Sequence, residues 1–148
     1  MKRIAVGVVY TLLFVYLAGC ATTPKSPSVD FKERIFSGSY NDIFQAVIVS
    51  YNDSGYSYVT QDKDKGIIET EWRPEKNILA GLFIGKLRSK IITKLYRMDD
   101  LQTRVSVEIV VEKQTAPDQW QSTSLVKEGN YKELFNGIQE NLTDIQKS

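Results

Sequence analysis

Leu101 to Lys113 alternates more strictly than any other stretch of this chain. Val105, Val107, Ile109 and Val111 fall on one side, and Arg104, Ser106, Glu108 and Glu112 on the other, with Val110 the one exception. Successive side chains of a strand point to opposite faces, so this period of two predicts one face on a core and one in water. Half-buried strands of that kind belong to antiparallel sheets, whereas doubly covered parallel strands carry continuous apolar runs.

The neighbouring segments fit the same sheet. Lys32–Ser37 reads as a short strand. Tyr56–Gln61 and Ile67–Trp72 read as a strand and its return, with Asp62-Lys63-Asp64-Lys65-Gly66 as the turn. On the return strand Ile68, Thr70 and Trp72 form the more apolar face, which is expected to meet the core. Arg88–Met98 is a further strand, followed by a turn at Asp99-Asp100, while Gln114–Thr123, with its Pro117, reads as loop. Tyr40, Ile43, Phe44, Val47, Ile48 and Tyr51 recur at helical spacing behind a Ser39 cap with Asp42 as box partner, and Gly55 is the stop. A closing helix, capped by Asn130 with Glu133, buries Tyr131, Leu134, Phe135, Ile138, Leu142 and Ile145. Consecutive strands flanked by helices predict an α+β fold, an antiparallel sheet with two helices packed on one face in the order β-α-β-β-β-β-α.

The N-terminus addresses location. Lys2 and Arg3 precede an uncharged run, Ile4–Leu17, which is shorter than the ~20 apolar residues of a membrane-spanning helix. It fits the apolar core of a secretory signal. It ends in Leu17-Ala18-Gly19-Cys20, which resembles the lipobox of bacterial lipoproteins. The resemblance implies a diacylglycerol on the Cys20 sulfur and cleavage between Gly19 and Cys20. It divides the chain into a signal peptide (1–19), a lipidated tether (20–30, rich in Pro and small polar residues) and a periplasmic α+β domain (31–148). Ala21, in place of an Asp, points to the outer membrane, with the inner membrane as the other destination. The chain has a single Cys, so no disulfide staples the domain. Removing residues 1–19 takes away Lys2 and Arg3 and no acid, which turns a formal charge of +1 into −1. No polybasic patch is left to hold anionic lipid, and no nucleic-acid partner is expected.

The element order over about residues 31–146 is similar to the TBP-like or helix-grip class of domain. Small lipoproteins of the outer membrane use such domains, among them the C subunit of the β-barrel assembly machinery. The local likeness lies in Ile43-Phe44, Gly55-Tyr56 and Asp64-Lys65-Gly66-Ile67-Ile68, a helix running into a hairpin. It implies an envelope setting and assigns no functional residue.

The inventory for chemistry is thin. The chain has no His, which removes imidazole-activated nucleophiles and imidazole metal ligands. The Asp62–Gly66 turn lacks the oxygen ligand, Gly and Glu that a calcium loop needs at its fifth, sixth and twelfth positions. Gly81, Gly85 and Lys86 miss the spacing of a phosphate-binding loop. Glu69 and Glu71, two apart, share a strand face and are the one carboxylate pair on which a hydrolase could be imagined. Ser89 and Lys90, as neighbours, point to opposite faces. Tyr56, Tyr58, Trp72, Tyr96 and Trp120 read as cross-strand core packing. The apolar stretch Asn77–Leu87 admits two readings: a buried connection, or an exposed loop whose Ile78, Leu79, Leu82, Phe83 and Ile84 dock on a partner.

These features predict no catalytic residue, metal or cofactor beyond the covalent lipid on Cys20. The expected role is a membrane-anchored, non-enzymatic interaction or accessory subunit of a cell-envelope complex, with an envelope protein as partner. The alternative is a binding module that holds a small apolar or lipid ligand between the terminal helix and the sheet. For that alternative, shortening Phe135 is expected to alter ligand retention more than stability.

Overall fold

Ser39 leaves β-strand geometry with its hydroxyl accepting the Asp42 N–H at 3.2 Å, and the first helix starts on the next residue. This cap satisfies one of the N–H groups that a helix start leaves unpaired. In the computed structural model, which describes residues 30–75 and 86–148, the order is β1 (Glu33–Ser37), α1 (Tyr40–Asp53), β2 (Tyr58–Asp62), β3 (Ile67–Thr70), β4 (Arg73–Pro74), β5 (Leu87–Arg97), β6 (Gln102–Ala116), β7 (Gln119–Ser122) and α2 (Glu128–Lys147). The fold is α+β as the patterns predict, with two short strands, β4 and β7, added to the expected order. Cys20, Gly19 and the Ile78–Ile84 docking residues lie outside the described residues.

The sheet is antiparallel throughout, with strand path β1-β6-β5-β3-β2. The short strands extend it, β4 beside β5 and β7 beside β6. The long hairpin of β5 and β6 is its centre, running in unbroken register from Leu87 opposite Lys113 to Arg97 opposite Thr103. Both helices cover one face. Ile43, Val47 and Tyr51 of α1 and Phe135, Ile138 and Leu142 of α2 pack on Ile68, Ile91, Leu95, Val105 and Val107 from the sheet. The other face carries no helix among the described residues. Arg88, Lys90, Lys94, Arg104, Glu108 and Glu112 point there, in alternation with the buried side chains.

Three sequence expectations change at this level. Gln114–Thr123 is not loop: β6 runs on to Ala116 and returns as β7. Pro117 and Asp118 are the turn between them, and Asp118 takes φ 61°. A Pro followed by a residue of positive φ makes a tight turn, so Pro117 removes no donor from the ladder. The second helix starts earlier than Asn130 suggests, at Glu128. Asn130 still caps it, but from inside the first turn, its side chain accepting the Lys127 N–H at 2.9 Å. The third change concerns the strand that contains Trp72, and it builds the site described next.

Candidate functional site

Glu69 pairs with Ile92, and Arg73 pairs with Ser89. Four steps along the chain on one side therefore match three on the other, so one residue is inserted between β3 and β4. A one-residue insertion exchanges inward and outward positions beyond it. Trp72, expected on the core face, comes out on the open face instead. Arg73 turns towards the helices. The ladder survives the insertion because the Thr70 hydroxyl, itself buried, accepts the Ile91 N–H at 2.9 Å.

Arg73 and Glu75, two residues apart, consequently share the inner face with Ser89 and Tyr56. The Ser89 hydroxyl donates to Glu75 Oε1, and Arg73 Nη2 donates to the same oxygen at 3.2 Å. Arg73 Nη1 donates to the Ser54 carbonyl at the end of α1, and the guanidinium carbon sits over the Tyr56 ring, 4.0 Å from its centroid. The Tyr56 hydroxyl is 3.1 Å from Ser89 Oγ. The cluster is thus an ion pair whose two members satisfy each other and their neighbours. Ser89 is 1% exposed, and the Glu75 side chain 13%.

This cluster closes one end of a cleft of about 260 Å³ between the two helices and the sheet. Its walls are apolar: Ile91, Ile109 and Val111 from the sheet, Val126 and Leu134 from the approach to α2 and the helix itself. The volume is nearly twice the ~150 Å³ of an apolar protein cavity that holds benzene. Asn130 and Glu133 stand at the rim on the first turns of α2. Gly137 sets the spacing of the helices here, since a Cβ at that position would meet Ser50 Oγ at 3.0 Å. A second, larger hollow of about 440 Å³ sits beside the Asp62–Gly66 turn, but most of its lining residues are exposed.

The residues singled out from sequence are placed as follows. Phe135 does not line the cleft. It is 2% exposed and packs on Phe36, with ring centroids 6.1 Å apart, and Leu134 is the large apolar side chain that α2 gives to the cleft. Glu69 is on the open face in an ion pair with Lys90 at 2.7 Å, and Glu71 is exposed beyond the end of β3. They do not meet as an acid–base pair. Ser89 and Lys90 do point to opposite faces. Tyr56 and Tyr58 pack against the core as expected. Trp72 and Trp120 do not; they sandwich Arg88 on the open face, 4.3 and 4.0 Å from its Cζ, and Tyr96 is 43% exposed.

Arg73 and Glu75 are missing from the sequence reading. Their spacing of two marks a shared strand face, but the side that face takes depends on the insertion. Among the described residues no group of three or more His, Cys, Asp or Glu could hold a metal ion, and no helix is long and apolar enough to cross a membrane.

No protein-family model matches the chain, and no curated protein matches it. Two solved structures are similar in chain path. One is the adenylate sensor from AMP-activated protein kinase, in complex with 5-aminoimidazole-4-carboxamide ribofuranotide: 12% identity, TM-score 0.45, covering 74% of this chain and 94% of that one. The other is a TBP-like protein from Parabacteroides distasonis: 16% identity, TM-score 0.42, covering 72% of this chain and 90% of that one.

Proposed function

We propose that this chain is a lipid-anchored binding module of the bacterial envelope, and that the cleft between α2 and the sheet holds a small amphiphilic ligand. The observation that carries the binding reading is the cleft itself, apolar along its walls and polar at one end. Concave apolar sites with a few convergent polar groups are the usual form of small-ligand sites. The role proposed is binding: the polar groups at the end of the cleft, Ser89, Glu75 and Arg73, are bonded to one another and present a fixed polar surface. The anchor is the Cys20 lipid, supported by Leu17-Ala18-Gly19-Cys20, and it holds the domain on the periplasmic side of the outer membrane. Two or three acyl chains bind a bilayer far more durably than the marginal hold of one.

The test is a titration of the full chain in lipid nanodiscs with octan-1-ol, read by methyl NMR. Shifts confined to Ile91, Ile109, Val111, Val126 and Leu134, and lost in Leu134→Trp at an unchanged melting temperature, support the reading. Equal shifts in wild type and Leu134→Trp sink it.

A second reading, an accessory subunit of an envelope complex, is favoured by the open sheet face. Ile35, Arg104 and Tyr96 stand in one row across β1, β6 and β5, with Ile35 52% exposed and Arg104 stacked on Tyr96. An exposed apolar and aromatic row suits a protein partner. Ile35→Glu weakening a stoichiometric crosslink in intact envelopes, with folding unchanged, supports this reading; an unchanged crosslink argues against it.

A further inference from the structure

We infer that the cleft selects an amphiphile whose head is uncharged and donates a hydrogen bond, such as an alkyl alcohol or amide, over a fatty carboxylate. The inference rests on the binding reading above and adds the class of ligand.

The charge arrangement at the polar end decides the matter. Among the described residues Arg73 is the one cation lining the cleft, and it is already committed. Its Nη2 holds Glu75, its Nη1 holds the Ser54 carbonyl, and one face lies on the Tyr56 ring. Its charge is balanced by Glu75. Glu133 at the rim adds an acid, with no second base among the described lining residues. A carboxylate entering this end meets a net negative surround in a partly desolvated place. Burial of a charge without a partner is strongly unfavourable.

A hydroxyl or amide head meets the opposite situation. Glu75 accepts from Ser89 and Arg73 through Oε1 alone, so its second oxygen takes no part in these bonds and can accept from the ligand. The Tyr56 hydroxyl donates to Ser89 Oγ at 3.1 Å, because the Ser89 proton is given to Glu75, so the bond open to the ligand head is the one it donates to Glu75. A neutral head therefore completes the cluster without disturbing its ion pair, while the chain lies along Ile91, Ile109 and Leu134.

The test compares octan-1-ol with octanoate on the full chain in nanodiscs at about pH 8, where the carboxylate is charged, again by methyl NMR. Octan-1-ol is expected to bind roughly tenfold more tightly than octanoate, about the margin between a satisfied neutral bond and an unpaired charge. Glu75→Gln leaves Arg73 unbalanced, so the octanoate-to-octanol affinity ratio should rise roughly tenfold. Taking the change in ratio cancels differences in partitioning into the disc lipid. Octanoate binding as well as octan-1-ol in wild type, or a ratio unmoved by Glu75→Gln, overturns the assignment and leaves the cleft reading intact. Neither probe shifting the cleft methyls overturns both. Should Glu75→Gln fail to fold, Arg73→Gln reads the same balance from the other side. The ratio must then fall, and a ratio that holds or rises overturns the assignment.

Discussion

The hydroxyls of Tyr51 and Thr93 meet at 2.5 Å in the core, where helix α1 crosses the central strand β5, and both residues are fully buried. Each satisfies the other, in a place where an unpaired hydroxyl is costly. Tyr51→Phe keeps the ring packing and strands the Thr93 hydroxyl. The expected loss is about 1–3 kcal/mol of stability, measured by urea unfolding.

The same pair predicts a pH dependence. Burial pushes the Tyr51 phenol far above its ordinary value of 10.0, and burial pushes Tyr58 up to about 12. Raised folded-state values mean that the native chain keeps protons which the unfolded chain gives up above pH 10. Stability is therefore level below that point and falls as pH climbs through the window from 10 towards 12. Tyr51 should dominate, because the half-exposed Tyr58 is partly screened by solvent. The urea midpoint should drop between about pH 10 and pH 12, and in Tyr51→Phe the drop should be shallower. A midpoint that is constant across that range counts against the burial of Tyr51.

Gly66 closes the β2–β3 turn at φ 65°. A Cβ there would press into the Leu95 carbonyl oxygen and stand 2.9 Å from the Tyr40 hydroxyl. The Leu95 N–H also bonds the Gly66 carbonyl at 2.8 Å, so the turn cannot move away from β5. Gly66→Ala should cost about 2 kcal/mol or more. Gly129→Ala is the contrast: it lies in α2 with nothing within 4 Å of a new Cβ, and it should gain ~0.5 kcal/mol. Chemical denaturation of both variants checks the difference in sign.

Arg88 donates through Nε and Nη2 to Glu112 Oε2, at 2.9 and 2.7 Å, while its two faces carry Trp72 and Trp120. A lysine cannot reproduce the planar fork or the double stack. Arg88→Lys should cost about 1–2 kcal/mol. These are the only two tryptophans of the chain, so indole emission reports this cluster alone. Emission should shift in Arg88→Lys and stay constant when a ligand enters the cleft on the opposite face.

For the anchor, Cys20→Ser should move the protein from the membrane pellet to the wash and reduce its mass by the acyl groups. Equal pelleting with equal mass would remove the lipid from the account.

Much of this architecture was legible because it follows from periodicity. The stripes of α1 and α2 and the alternation of β6 each bury one face, and the patterns show which one. The Ser39 cap and the Gly66 turn were legible because their local chemistry is specific to those conformations. The unread parts depend on relations across strands. Ile67 to Trp72 keeps its period of two straight through the inserted residue, so nothing local marks the insertion. Whether Arg73 faces water or the helices is decided by its partner, Ser89, on another strand. In the same way Pro117 reads as an interruption until Gln114 is seen opposite Trp120.

The extra residue between Thr70 and Arg73 acts as a parity bit for the whole domain. Paired in unbroken register instead, the same sequence would send the Arg73–Glu75 pair into water and drive an indole into the chamber beneath the helices, plugging it. The cleft and the stacked arginine on the far side thus both hang on a single irregularity of strand pairing.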